Sequence, residues 1–286
     1  MATADVIDAH THAFPEEFVR DREKLLVADR WFGHLYTNPK AKLTSAAELL
    51  ESMDDNGIAF SIIAGFPWAD EGRCREHNSW MAEVCREHAN RLGYLAIVNP
   101  ADGSAADDLA TAFDEGALGL GELNADAQGF DLADADCLRS VMDLAHEQDR
   151  PVMIHASEPV GHPYPGKGTA TPDKLLAWIA EYQHQQIVLA HWGGGLPFYE
   201  LMPEVAALTR NVAYDTAATT YLYGFEVFDV VRRITGHEKI LFGSDFPVLG
   251  QRRLLNKVRR VLPEGDVASR ILSGNAESVY RTEARQ

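Results

Sequence analysis

The chain has 286 residues, 46% of them hydrophobic and 24% charged, a composition that excludes a fibre or a disordered segment. With 26 Lys+Arg against 43 Asp+Glu, its formal charge of -17 repels nucleic acid and anionic membranes, so neither is expected as a partner. No apolar run approaches spanning length, and the N-terminal MATADVIDAHTH lacks the basic patch and apolar core of a signal peptide. A cytoplasmic protein is the expectation. Cys74, Cys85 and Cys137 form no CxxC pair and are expected to be reduced.

Taken in chain order, short β-rich runs alternate with longer amphipathic ones. The run DVIDAHTH (5–12) is followed, after a gap, by SAAELLESMDDNG, with Ser45 as its expected N-cap and Gly57 as its C-terminal glycine. FSIIAGFP then precedes NSWMAEVCREHAN, and LGYLAIVNP precedes AADDLATAFDEG. ALGLGELN precedes DADCLRSVMDLAHEQD, and PVMIHASE precedes TPDKLLAWIAEYQ. QIVLAHWGG precedes FYELMPEVAALTR, NVAYDTAAT precedes FEVFDVVRRITG, and KILFGSDFP precedes QRRLLNKVRRV. A last helix over SRILSGNAESVY closes the chain. About eight β-then-α units with nearly continuous apolar strands predict an α/β fold, a (β/α)8 TIM barrel filling 1–286 as one domain. An open doubly wound sheet is the alternative, weakened because no Gly-rich dinucleotide fingerprint follows the first strand.

Between the first strand and its helix lies a long excursion, residues 13–44, carrying Phe14, Phe18, Trp31, Phe32 and Tyr36. Ordinary βα loops run about two to six residues. This insertion is expected on the catalytic face, as an active-site lid or as a packed decoration.

His10 and His12 stand two apart near the end of the first run and share a face of a strand. Alone, such a pair reads as two hydrogen-bonded histidines. Yet His155 lies near the end of the fifth run, His191 near the end of the sixth and Asp245 near the end of the eighth. In a closed barrel these ends converge, and four imidazoles with a carboxylate at one level predict a divalent metal site. Asp8 is expected to orient a ligand histidine or to bond within the core. Among loop residues, Trp68, Arg73, His162, Tyr164, Trp192 and Tyr221 are substrate-binding candidates, with Lys167, Arg252 and Arg253 behind them. Gly193, Gly194 and Gly195 suit close backbone approach or a tight turn. His77, His88, His146, His184 and His237 read as surface or capping residues, and His34 is undecided. Ser157 has no nucleophile-elbow context.

The phrases IDAHTH, VMIHASE, LAHWGGG and LFGSDFP resemble the metal-dependent barrels of the amidohydrolase superfamily, in particular its aminocarboxymuconate-semialdehyde decarboxylase-like, amidohydrolase-related group. ILSGNAESVYR is similar to that group's closing helix, so the resemblance spans nearly the whole chain. It implies that His10, His12, His155 and Asp245 are metal ligands. His191 would bind a second ion in two-metal members, or act on substrate or bound water in one-metal members. Where many members carry a bridging lysine on the fourth strand, this sequence has Glu122. Glu122 is expected either as a ligand, as in the similar TatD-like nucleases, or as a support for one. One ion is the default, two the alternative, and zinc the expected metal. A homodimer is what the resemblance suggests.

Such a metal lowers the pKa of bound water to about 7. The expected activity is therefore hydrolysis of a small-molecule amide, ester or lactone, with Asp245 as proton acceptor and His191 stabilising the oxyanion. The alternative is a lyase, a non-oxidative decarboxylase of an unsaturated or aromatic carboxylic acid. A third reading, a barrel that only binds its ligand, fits poorly with a complete ligand set.

Overall fold

A computed structural model describes residues 5–282. Eight strands form one all-parallel sheet in the order of the chain, from β1 (Ile7–Thr11), β2 (Phe60–Ala64), β3 (Leu92–Ala96) and β4 (Gly119–Leu123) to β5 (Val152–Ile154), β6 (Ile187–Leu189), β7 (Val212–Asp215) and β8 (Ile240–Leu241). The seam between the last strand and the first is held by backbone bonds. The Ala9 N–H donates to the Phe242 carbonyl at 2.8 Å, Asp245 N–H to the His10 carbonyl at 2.9 Å and His12 N–H to the Phe246 carbonyl at 2.6 Å. The fold is the expected TIM barrel. The seam sets Asp245 directly beside the two first-strand histidines.

Ile7, Ala9, Phe60, Ile62, Met153, Val188 and Leu241 pack together as the inner core, and the alternate strand residues face the helices. Two strands break this alternation. Between Asp8 and Thr11, β1 carries one residue more than β2 does between Ser61 and Ile63. Between Leu120 and Leu123, β4 carries one more than β5 does between Val152 and Ile154. These are β-bulges, which re-aim side chains. The first turns His10 inward although Asp8, two residues earlier, reaches out to Gln251 at 2.8 Å. The second does the same for Glu122. Gly121 permits it: its φ is +141°, and a Cβ there would lie 2.6 Å from the Met153 carbonyl oxygen.

Helices alternate with the strands as expected, with local differences. The helix Ala46–Asn56 begins with a full Ser45/Glu48 capping box and ends at Gly57 in the left-handed region. The helix after β2 starts earlier than expected, at Glu71, because Asp70 caps it through the Arg73 N–H. The stretch expected as one helix over 198–210 is divided. A left-handed turn over Trp192–Gly195 and a short 3-10 stretch ending at Leu201 precede a helix that opens at Pro203. The closing helix contains a π-turn over Arg270–Gly274. The insertion folds as three short helices, Glu16–Arg20, Arg22–Ala28 and Arg30–Tyr36. Phe14, Phe32, Tyr36, Phe66 and Trp68 interlock there, with centroid distances from 4.5 Å for Phe66–Trp68 to 6.4 Å for Phe14–Trp68.

Among the described residues, no helix is long and apolar enough to cross a membrane. The cysteines are all free.

Glu71 supplies a pH-dependent element of stability outside the barrel mouth. One carboxylate oxygen accepts from the Asn99 N–H at 2.6 Å, and the other is buried with no partner. Burial pushes its pKa up from 4.5 to about 7, against the Asn99 N–H and with help from Asp108. A neutral carboxyl in the fold that ionises more easily in the unfolded chain contributes fully below pH 4.5, and that contribution is lost as pH rises through about 7. Thermal unfolding of Glu71→Gln and the parent between about pH 5 and pH 8 should therefore diverge in the variant's favour as pH rises. Parallel curves would show that Glu71 titrates normally.

Candidate metal centre

At the C-terminal mouth of the barrel, His10, His12, Glu122, His155, His191 and Asp245 converge, all of them nearly or fully buried. The strand ends bring together every residue proposed from the sequence as a metal ligand. Glu122 occupies the middle. One carboxylate oxygen lies 2.9 Å from His155 Nδ1 and 3.4 Å from His191 Nε2. The other lies 3.5 Å from His10 Nε2 and 3.8 Å from His12 Nε2. Asp245 Oδ1 is 3.5 Å from His12 Nε2.

The outer atoms of the first two rings are fixed. His10 Nδ1 donates to Asp215 Oδ2 at 2.6 Å, and His12 Nδ1 donates to the Ala64 carbonyl at 3.1 Å. With both Nδ1 atoms protonated, the two Nε2 atoms face each other at 3.2 Å, beside the Glu122 carboxylate. Neutral rings in that arrangement point lone pairs at one another, which is repulsive without a proton or a metal ion between them. His191 Nδ1 is buried with no partner. Mixed imidazole and carboxylate donors are a set suited to a divalent ion. Two triads meet the spacing such an ion needs, His10–His12–Glu122 and Glu122–His155–His191, and Glu122 belongs to both.

Electrostatics follow this geometry. Burial pulls His10 down, but the charges of Asp215 and Glu122 outweigh it and hold its pKa well above 6.5. Burial likewise opposes His191, yet Glu122, then Asp245 and Asp215, lift it to about 9. His12 is driven to about 3 by burial and by its neighbour His10. Burial raises Asp245 to about 6, against the pull of His191 and His10. Glu122 goes the other way: burial resists, but His10 and His155 hold it well below 4.5.

The backbone is strained at the same place. His191, Trp192 and Asp245 have φ of 55°, 56° and 64°. Left-handed conformations of non-glycine residues cost about 1–3 kcal/mol each and persist only when surrounding contacts enforce them. Here the Asp215 carboxylate accepts from the His191 N–H at 2.8 Å, and the seam bond fixes Asp245. The glycine run after β6 serves close approach, as expected. A Cβ on Gly194 would lie 2.4 Å from the Ser157 carbonyl oxygen.

Asp215 is the residue that sequence reasoning missed. It ends β7, as Asp245 follows β8, and its place directly after the apolar VAY of NVAYDTAAT is the available signal. It grips His10 through one oxygen and the His191 backbone through the other. Asp8, by contrast, receives N–H groups from Ser244 and Gln251 at 2.8 Å and supports the β1–β8 seam.

The centre opens into a cavity of about 840 Å³. Its walls include Trp31, Leu35 and Tyr36 of the insertion, with Phe66, His162, Tyr164 and Tyr221. Three substrate-contact candidates lie elsewhere. Trp68 is fully buried and donates to His77 Nδ1 at 3.2 Å. Trp192 is fully buried and donates to Thr219 Oγ1 at 2.9 Å, its strained backbone turning the indole into the core. Arg73 lies over the Trp68 ring at 6.0 Å, outside the cavity. Arg252 is engaged with Asn56 and Asp55, and Lys167 with the Val160 carbonyl. His77 corrects the surface reading: it is buried, accepts from Trp68 and donates through Nε2 to the Ala13 carbonyl at 3.0 Å.

An amidohydrolase family profile matches residues 7–282, and the chain belongs to that family. Solved structures share the fold at low identity. The 5-carboxyvanillate decarboxylase of Sphingomonas paucimobilis is 17% identical with a TM-score of 0.81, covering 98% of this chain and 99% of that one. The 5-carboxyvanillate decarboxylase of Novosphingobium aromaticivorans, solved with manganese and 4-hydroxy-3-methoxy-5-nitrobenzoic acid, is 17% identical with a TM-score of 0.77, covering 97% and 96%. A 2,6-dihydroxybenzoate decarboxylase from Rhizobium is 18% identical with a TM-score of 0.71, covering 98% and 99%. No curated protein matches the sequence.

Groups that orient metal-bound histidines typically change metal affinity by about 10–100-fold. Asp215→Asn should weaken binding of zinc or manganese by that amount in competition with a chelator, with the circular dichroism spectrum retained. Unchanged affinity would reduce Asp215 to a fold-stabilising residue.

Proposed function

We propose that the protein is a metal-dependent, non-oxidative decarboxylase of an unsaturated or aromatic carboxylic acid. The sequence alone favoured hydrolysis; the reading moves to the lyase for two reasons. The observation that carries it is the wall of Trp31, Tyr36 and Phe66 in the same cavity as the histidine–carboxylate centre. Flat apolar side chains beside a cation site suit a ring bearing a carboxylate. Support also comes from the decarboxylases among the structural neighbours.

His10, His12, His155 and Asp245 would hold the ion, with Glu122 joining them or bracing their rings. When bound, the ion supplies a fixed positive charge that orients anionic oxygens. The protein does the rest. The aromatic wall strips water from the carboxylate; carbon dioxide leaves uncharged, and the negative charge is neutralised only by the proton that takes its place. The bond between ring and carboxylate carbon breaks, its electron pair stays on the ring, and a proton replaces the carboxylate there. His191 and Asp245 are the groups placed to hold and deliver that proton.

A second reading rests on Glu122 belonging to both metal-sized triads. A carboxylate so placed can bridge two ions, and a two-ion centre suits hydrolysis through activated water. Zinc is the expected ion by donor type, and manganese is the alternative in view of the Novosphingobium structure. The substrate is a free small molecule, and the working unit is proposed to be a homodimer.

Elemental analysis and product analysis separate the readings. We expect about one equivalent of metal per chain. Incubation with 5-carboxyvanillate or 2,6-dihydroxybenzoate should release carbon dioxide without incorporation of ¹⁸O from water into the aromatic product. His191→Asn should lower that rate by about 10²–10⁴-fold with metal retained. Two equivalents of metal, with ¹⁸O entering the acid formed from an ester or lactone and no carbon dioxide released, would transfer the assignment to the hydrolase.

A further inference from the structure

Tyr36 ends the last helix of the insertion and is 4% exposed. Its ring is locked against Phe32 at 4.6 Å and against Phe14 and Phe66 at 6.1 Å each. Its carbonyl is held by the Arg22 guanidinium, Nε at 3.2 Å. Ring and backbone are thus fully engaged. The hydroxyl is not: among the described residues it makes no hydrogen bond. It belongs to the cavity wall together with His12, Glu122, His155, His191 and Asp245.

Other buried aromatic polar groups behave differently. Trp68, Trp192, Tyr94 and Tyr214 each spend their N–H or O–H on a protein acceptor. Trp178 and Tyr280 also lack a partner among the described residues, but neither borders the cavity; Trp31, beside Tyr36 in the wall, is the other buried aromatic there whose polar group makes no bond to the described residues. Burial, reinforced by the charges of Asp245 and Glu122, raises the Tyr36 phenol above its ordinary range. A phenol is a hydrogen-bond donor at working pH, and this one lines the same cavity as the metal centre. A donor held rigid in an apolar wall, with no acceptor among the described residues, is preorganised for an acceptor on a ligand.

We propose that the Tyr36 hydroxyl is a substrate-binding group that donates a hydrogen bond to an anionic oxygen of an aromatic acid seated between Trp31, Phe66 and the metal centre. The insertion thereby sets specificity instead of only covering the site. The inference rests on the aromatic-acid reading above. Lys40 and Lys42 also border the cavity, from exposed positions at its edge, where they attract an anion without orienting it.

Tyr36→Phe keeps the ring contacts and removes one oxygen, so the fold is retained. Calorimetric titration of manganese-loaded parent and variant with 2,6-dihydroxybenzoate and with 4-hydroxy-3-methoxy-5-nitrobenzoic acid tests the idea, with metal content measured in both. Loss of one hydrogen bond to an anion should weaken binding by about tenfold or more, with equal metal content. Equal affinities in parent and variant would overturn the role of Tyr36 while leaving the aromatic-acid reading intact. Failure of the parent to bind either acid would overturn both.

Discussion

Burying four imidazoles and several carboxylates at the mouth of a barrel is costly, several kcal/mol for each ion taken out of water. The Glu122 carboxylate makes it sustainable, because each of the four rings faces one of its two oxygens within 3.8 Å. The contrast with its neighbours shows which force governs. Asp8 and Asp245, equally buried, are driven up to about 6 by desolvation, whereas Glu122 is held well below its ordinary value by His10 and His155. Its state is set by partners, theirs by burial. Asp215 extends the balance outward through His10, so the ring of charges is closed by hydrogen bonds instead of by solvent.

The barrel and most of this centre were legible because both rest on periodic features. Parallel strands buried on both faces read as apolar runs, and the polar residues that end them stand out. That is how His10, His12, His155, His191 and Asp245 declared themselves from strands far apart in the chain. The reasoning behind the first pair was nevertheless incomplete. Strict alternation would align His10 with Asp8, which points outward; an extra residue in β1 turns His10 into the barrel. A bulge depends on the register of two strands, which a single sequence does not display. The same holds for Glu122, whose inward aim needs Gly121 and the irregular pairing of β4 with β5.

What escaped the sequence is instructive in kind. Loop tryptophans after active-end strands suggested substrate contacts, but Trp68 and Trp192 are core residues whose indole N–H groups bond His77 and Thr219. Large aromatics are usually worth more in burial than at a rim. His77, at the edge of an expected helix, reads as a surface or capping residue by the usual exposure of histidine; its own face packs against the insertion. Asp215 was overlooked because one acidic residue after an apolar run resembles any strand terminus until the barrel closes around it.

Trp68 and His77 share a location, the contact between the insertion and the barrel, and that contact ties packing to chemistry. The N–H of Phe14 donates to the Thr44 carbonyl at 2.9 Å, so the insertion leaves and re-enters the barrel at nearly one point. Closing a loop costs little more as it lengthens, about 0.6 kcal/mol per doubling. The segment between those ends can therefore change sequence and shape without disturbing strand order. It is not free at its root, however. His77 bonds the carbonyl of Ala13, the residue next to His12, and stacks on Phe14 at 5.5 Å. The same aromatic cluster that walls the cavity thus anchors the backbone carrying the first-strand histidines. A barrel built this way can retain its metal chemistry while the wall facing the substrate varies, because Ala13 and Phe14 at the root brace the ligand strand while Trp31, Leu35 and Tyr36, further along the insertion, border the cavity.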